Sequence, residues 1–173
     1  GVQTCALPIS IETGTSSSTV SANRITSVVT TNTGGYGGRG ITVGTGNANS
    51  NVTIVNNSIA GVNGSNFASF GNSSSVGIMI GVVGNSSTLT DATGGLSIYY
   101  NSINMSGSYS YASACLTAGL YIGSAATSLN ISNNIFANSL NNTNGSGTSS
   151  KNYAIYSAAA NTAYTTIDYN DYF

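Results

Sequence analysis

The chain has 173 residues, the length of one domain, and 40% of them are hydrophobic, which is enough for a core. Only 4% are charged, against roughly a quarter in ordinary soluble domains, so the polar surface is made of Asn, Ser, Thr and Gly. A net charge of −1 without a basic cluster argues against a nucleic-acid partner, and no apolar run approaches the ~20 residues needed for membrane insertion.

Residues 1–10, GVQTCALPIS, differ in character from the remainder of the chain and match the conceptual translation of a sequencing adapter. They are set aside as a non-native, adapter-derived leader, and the sequence is taken as a metagenomic fragment whose true N-terminus is lost. Removing the leader removes Pro8 and Cys5 and leaves Cys115 as the single thiol. No disulfide is then available within the chain, and cysteine usage assigns no redox compartment. Cys115 lies in an Ala-rich apolar setting and reads as a small core residue.

From residue 20 onward a motif recurs five times: Val20-x-x-Asn23-x-Ile25, Ile54-x-x-Asn57-x-Ile59, Ile98-x-x-Asn101-x-Ile103, Ile131-x-x-Asn134-x-Phe136 and Ile167-x-x-Asn170-x-Tyr172. The Asn positions are 34, 44, 33 and 36 residues apart, which is the mark of a stacked repeat. A second element alternates with it, a small residue followed by aliphatic, variable, aliphatic: Gly40-Ile41-Thr42-Val43, Gly77-Ile78-Met79-Ile80, Gly119-Leu120-Tyr121-Ile122 and, more weakly, Ala154-Ile155-Tyr156-Ser157. The longest interval is assigned to an insertion around Asn85 to Gly95, and Val62 to Val76 and Leu140 to Lys151 are expected to protrude as loops.

Period-two alternation over four or five residues is strand spacing, and no stretch sustains the three-and-four spacing of an amphipathic helix. Each repeat therefore holds about three short strands joined by sharp turns. One such unit cannot bury its own aliphatic residues, whereas stacking like strands at ~4.8 Å buries them and pairs the backbone. An Asn at an equivalent corner of each coil is expected to tolerate the bent backbone while its amide bonds the coils above and below. On this reading Asn23, Asn57, Asn101, Asn134 and Asn170 form a structural ladder. None of these five lies in a glycosylation sequon; sequons occur at Asn51, Asn63, Asn72, Asn85 and Asn104, as expected by chance in so Asn-, Ser- and Thr-rich a chain.

The combination of Gly-Ile-x-Ile, a turn and Ile-x-x-Asn-x-Ile resembles the right-handed parallel β-helix repeat of the pectin-lyase-like superfamily, in particular its secreted and surface-borne bacterial members. The resemblance covers about residues 19–173 and implies an all-β solenoid of about four to five enlarged coils without substantial helix. Residues 11–173 are then an incomplete parallel β-helix domain, with continuation of the same solenoid expected at one or both ends. The resemblance also implies an extracellular or cell-surface location. It leaves activity open, because the fold carries lyases, hydrolases, tailspikes, adhesins and inert stalks.

Catalysis finds little material. A lyase or hydrolase of this fold needs clustered carboxylates with a Lys or Arg base. This chain has four acids in all, of which only Asp168 and Asp171 are close together. They flank Asn170 across a corner and read as solvated turn residues. There is no His to activate Ser or Cys, and Arg39, in the Gly-rich GGYGGRG stretch, reads as part of a flexible inter-strand turn. No cofactor and no metal site are expected.

Aromatic residues offer the better working surface. The middle residue of each Gly-Ile-x-Ile strand is expected to point outward, giving the column Thr42, Met79, Tyr121, Tyr156. Tyr99 holds the outward slot of its own strand, with Tyr109, Tyr111, Tyr153 and Tyr164 in adjoining loops. Tyr99, Tyr121 and Tyr156 are thus the carbohydrate-contact candidates, since exposed tyrosines stack on sugar rings and bond hydroxyls; the competing role is packing against strand edges and loops. The expected function is a non-catalytic stalk, adhesin or carbohydrate-contacting segment meeting a polysaccharide or cell-surface glycan. The alternatives are a fragment of a polysaccharide lyase or glycoside hydrolase whose active coils lie elsewhere, and an ice-binding solenoid. The last requires an outward Thr column, which Met79, Tyr121 and Tyr156 interrupt.

Overall fold

The aliphatic residues at period two cannot be covered within one turn of the chain, so the strands stack coil upon coil. The computed structural model describes residues 8–30, 37–64, 75–82, 90–147 and 149–173. The first coil carries β1 (Ile9–Ile11), β2 (Thr19–Ser21), β3 (Arg24–Thr26) and β4 (Val29–Thr30). The second carries β5 (Arg39–Val43), β6 (Val52–Val55), β7 (Ser58–Ala60) and β8 (Asn63–Gly64). The third carries β9 (Val76–Ile80), β10 (Gly94–Tyr99), β11 (Ser102–Met105) and β12 (Ser108–Tyr109). The fourth carries β13 (Leu116–Ile122), β14 (Thr127–Ser132), β15 (Ile135–Asn138) and β16 (Asn141–Asn142), and the fifth β17 (Lys151–Ser157), β18 (Tyr164–Asp168) and β19 (Asp171–Tyr172).

Three five-stranded sheets run the length of the molecule in the orders β1-β5-β9-β13-β17, β2-β6-β10-β14-β18 and β3-β7-β11-β15-β19. Every ladder is parallel, and together they make a β-solenoid of about four turns. Helix is confined, among the described residues, to single 3-10 turns at Gly145–Gly147 and Asn161–Ala163. Beyond the expected three strands per repeat there is a short fourth rung, paired as β4-β8 and β12-β16.

Register places like residues on like. Ile9, Ile41, Ile78, Leu120 and Ile155 form one column, Val20, Ile54, Ile98, Ile131 and Ile167 a second, and Ile25, Ile59, Ile103, Phe136 and Tyr172 a third. The three columns meet in one core, with Cys115 buried among them. Each fully buried aliphatic side chain contributes roughly 1.5–3 kcal/mol. In the fifth coil Ile167 and Tyr172 remain 45% and 51% exposed, whereas Ile131 and Phe136 beneath them are fully buried.

The small residue before each Ile-x-Ile has a steric cause. A Cβ on Gly77 would lie 2.5 Å from the Gly119 carbonyl oxygen and 2.5 Å from Ile103 Cγ2, and one on Gly40 would lie 2.5 Å from the Gly77 carbonyl and 2.7 Å from Ile59 Cγ2. The first sheet there approaches the third too closely for any side chain.

Two corners are bent into the left-handed region in successive coils. Ser17, Asn51, Gly95 and Ser128 have φ of 50°, 53°, 65° and 53°, and Ala22, Asn56, Tyr100, Asn133 and Tyr169 have φ of 56°, 55°, 57°, 56° and 52°. The ladder asparagines are therefore not the bent residues, contrary to expectation: the residue before each of them takes the turn. That leaves the Asn itself in position to aim its amide along the solenoid axis.

Ile9 and Ser10, which precede the boundary expected after residue 10, pair with Ile41 and Thr42 as part of β1. Several other expectations change. Arg39 opens β5 and is fully buried opposite Val76, so it is no part of a flexible turn. The stretch from Leu140 to Lys151 is not simply a protruding loop: Leu140 is buried and Asn141–Asn142 pairs with β12. Tyr109, Tyr153 and Tyr164 lie in strands rather than loops. Within the other expected loops, residues 65–74 and 83–89 lie outside the described residues, as do Gly34 to Tyr36 of the Gly-rich stretch.

Candidate functional site

The second corner of each coil carries a hydrogen-bonded side-chain array that runs through all five. Asn23 donates from Nδ2 to Asn57 Oδ1 at 2.9 Å, and its backbone N–H reaches the same oxygen at 3.1 Å. The pattern repeats from Asn57 to Asn101 (2.9 and 3.0 Å), from Asn101 to Asn134 (3.0 and 3.0 Å) and from Asn134 to Asn170 (2.9 and 3.0 Å). Each amide also reaches back to the coil before it: Asn57, Asn101, Asn134 and Asn170 donate to the carbonyls of Val20, Ile54, Ile98 and Ile131 at 2.9–3.0 Å. Asn57, Asn101 and Asn134 are buried. Every donor and acceptor on these inner amides is thus used, as burial requires. The array has a direction, because each Oδ1 accepts only from the preceding coil. It is saturated by its own members and has no capacity left for chemistry on a ligand.

The outward column of the first sheet is in register, as Ser10, Thr42, Met79, Tyr121 and Tyr156, but it is not an open surface. Thr42 and Met79 are fully buried and Tyr121 is 4% exposed. Val76, Met79, Val82, Ala118 and Tyr121 form a second apolar cluster, against which Tyr153 and Tyr156 pack. Tyr121 stacks on Tyr156 with ring centroids 5.8 Å apart and planes 5° from parallel, and Tyr153 meets Tyr156 edge-on at 5.2 Å. Burial, with Tyr156 adding a smaller effect, pushes the Tyr121 phenol pKa up. Tyr121 therefore does not present a face to a sugar. Tyr156 is half-buried with one ring face committed to Tyr121.

The open aromatic surface lies at the Asn corner. Tyr99 is half-buried and meets Tyr100 edge-on at 5.7 Å. Tyr100 is 59% exposed, and Tyr169, two coils further on at the equivalent corner, is 78% exposed. Exposed Asn133 lies between them, accepting the Tyr100 N–H at 3.0 Å through its carbonyl. Neither Tyr100 nor Tyr169 follows from strand alternation. Their place before the ladder Asn is the sequence signal that locates them, since side chains at left-handed corners point away from the stacked core.

Glu12, Asp91 and Asp168 accept hydrogen bonds from within the chain. Asp91 Oδ2 accepts from the Gly46 N–H at 2.9 Å and the Thr93 hydroxyl at 2.6 Å. Asp168 Oδ1 accepts from the Tyr169 N–H at 2.8 Å. Glu12 takes a hydrogen bond from Ser10. Asp171 lies beside Ile135 at the start of β19, three residues from Asp168 and around the bend. Among the described residues no three His, Cys, Asp or Glu side chains come together in a metal-binding group, and no helix is long and apolar enough to cross a membrane. No family model, no curated protein and no solved structure matches the chain.

Proposed function

We propose that this solenoid is a non-catalytic, extracellular or cell-surface segment that acts as a stiff stalk or adhesin module and contacts carbohydrate through its tyrosine corner. The observation that carries the reading is the corner column Tyr100, Asn133, Tyr169, which sets two exposed phenol rings on either side of an exposed amide. At ~4.8 Å per coil the two rings stand about 10 Å apart, a spacing that lets both engage one extended polysaccharide strand while the amide bonds a hydroxyl between them. An uncharged surface suits neutral glycans, which offer stacking faces and hydroxyls rather than ionic groups. The likeness of the repeat to pectin-lyase-like β-helices is in keeping with such a role. The scarcity of acids and the absence of His favour binding over turnover. Glycan-array or polysaccharide pull-down measurements on the chain and on Tyr100→Ser/Tyr169→Ser test it. The expected result is retention of a neutral polysaccharide, lost at least about tenfold in the double variant, as two stacking contacts of roughly 1 kcal/mol each imply. No retention on any glycan, or retention unchanged by the double substitution, overturns the carbohydrate role and leaves a spacer.

A further inference from the structure

The bend before each ladder Asn is exposed in every coil, inner coils included, at Ala22, Asn56, Tyr100, Asn133 and Tyr169. Exposure there belongs to the left-handed turn and not to the place of a coil in the stack. Backbone hydrogen bonds fix the spacing of the corners in the third, fourth and fifth coils: the Tyr100 N–H donates to the Asn133 carbonyl at 3.0 Å, and the Asn133 N–H to the Asp168 carbonyl at 3.3 Å. Beside these corners Tyr99, Ser132 and Asp168 stand in register on the outward side of the second sheet. Coil by coil the surface reads Tyr99 with Tyr100, Ser132 with Asn133, and Asp168 with Tyr169. The two coils before it offer Ser21 with Ala22 and Val55 with Asn56, and so carry no ring.

We infer that this corner takes a neutral polysaccharide strand of β-1,4-linked pyranoses, such as a glucan or xylan backbone, laid along the solenoid axis with one sugar per coil; the inference rests on the carbohydrate-contacting role proposed above. Pyranoses joined through equatorial bonds at C1 and C4 form an extended ribbon in which each sugar advances about 5 Å, close to the ~4.8 Å between coils. Each sugar is also turned over relative to its neighbours. The first and third sugars thus present the same face two coil spacings apart, where the rings of Tyr100 and Tyr169 stand, and each ring stacks on the C–H face of one sugar. The second sugar, turned over, brings a hydroxyl-bearing edge to the Asn133 amide and the Ser132 hydroxyl, both of which donate and accept. Asp168, whose Oδ1 already accepts the Tyr169 N–H at 2.8 Å, sets a negative charge beside the third sugar and disfavours a uronic acid there. Glucans linked α-1,4 or β-1,3 coil, so their like-facing sugars do not recur at this interval.

Pull-down of the full chain on cellulose and xylan, against starch granules and the β-1,3-glucan curdlan, tests the linkage. Retention is expected on the first pair and about fivefold weaker on the second, where one strand reaches one ring only. Competition with cellobiose and cellotriose tests the register. The trisaccharide alone spans both rings, so it should displace the chain at about one fifth of the concentration that the disaccharide needs, as one added stacking contact implies. Tyr169→Ser, checked for folding by far-UV spectra, should make the two competitors equal, and Tyr100→Ser serves in its place should the first variant not fold. Retention that ignores linkage or favours starch or curdlan, displacement that ignores oligosaccharide length, or a trisaccharide advantage that survives the substitution overturns the inference while the carbohydrate role stands. Retention on none of the four polysaccharides overturns it too, and an absence of binding across a wider glycan array removes the role itself.

Discussion

The backbone N–H and the side-chain Nδ2 of Asn101 both donate to a single atom, Asn134 Oδ1, each at 3.0 Å. One side-chain oxygen thus ties together the main chain and the amide of the coil before it, at a site where both residues are buried. Removing the Asn134 amide strands the buried Asn101 N–H, whereas Asn101 Nδ2 keeps the Ile54 and Tyr99 carbonyls, and it leaves the Ile98 carbonyl without the amide at 2.9 Å. Asn134→Ala should cost about 3 kcal/mol or more in chemical denaturation, given 1–3 kcal/mol per stranded group. Asn23→Ala, at the half-exposed start of the ladder, should cost markedly less. Equal losses at the two positions would contradict a ladder whose strength comes from burial.

The glycine column makes a steric prediction. Gly77→Ala places a methyl 2.5 Å from both a backbone oxygen and Ile103 Cγ2, and the two strands have to part for it. A loss of about 2–4 kcal/mol is expected, at or above the usual range for overpacking because one of the clashing atoms is main chain. Gly145→Ala meets nothing within 4 Å and should leave the melting temperature where it was.

The left-handed corner predicts a gain. Ala22 has a φ of 56° on an exposed turn, a conformation that disfavours a Cβ. Ala22→Gly should raise stability by about 1 kcal/mol, read from the denaturation midpoint. Ala92→Gly, an exposed alanine without positive φ, should show no gain.

Alkali should loosen the fold through its buried phenols. Burial pushes the Tyr109 pKa up to about 12, with nearby Ser150 lowering it slightly. Between pH ~10 and ~12 the unfolded chain has lost this proton while the folded chain keeps it, so stability falls as pH rises through that window and is unaffected below it. The shift corresponds to a loss on the order of 2 kcal/mol. Tyr109→Phe should flatten much of the slope, leaving a remainder that includes Tyr121, whose pKa burial also raises. An unchanged slope in Tyr109→Phe would mean that the phenol ionises without opening the core.

Tyr121 separates packing from binding. With the ring 4% exposed and stacked on Tyr156, Tyr121→Ala should cost about 3–5 kcal/mol, detected by thermal unfolding. A variant of native stability with weakened glycan retention would restore the open column that strand alternation alone implies.

The ladder and the three inward columns are legible in the sequence because each is written as a residue type at a repeating position: Ile98 and Ile131 occupy the same slot, and so do Asn101 and Asn134. The surface is not legible in the same way. Alternation says that Met79 and Tyr121 turn away from the core, but not that a second apolar cluster encloses them. Arg39 reads as a loop residue because five of the seven residues in GGYGGRG are glycines; in the fold Gly40 instead lets the backbone of β5 run close to its neighbours. The bent corner escapes sequence reading because its occupants, Ala22, Asn56, Tyr100, Asn133 and Tyr169, share a conformation and not a chemistry. The two exposed tyrosines are hidden for the same reason.

In each of the first four coils the two left-handed bends are separated by the same number of residues: Ser17 and Ala22, Asn51 and Asn56, Gly95 and Tyr100, Ser128 and Asn133. Between Ile80 and Gly95 the chain spends far more residues than between Val43 and Asn51, yet the ladders on either side stay in register. Length is held constant along one flank of the solenoid and left free along another. The constant span between the bends therefore acts as the ruler of the stack, and a single residue inserted within it, between Asn51 and Asn56, would move the Ile54 column and the Asn57 ladder out of register together.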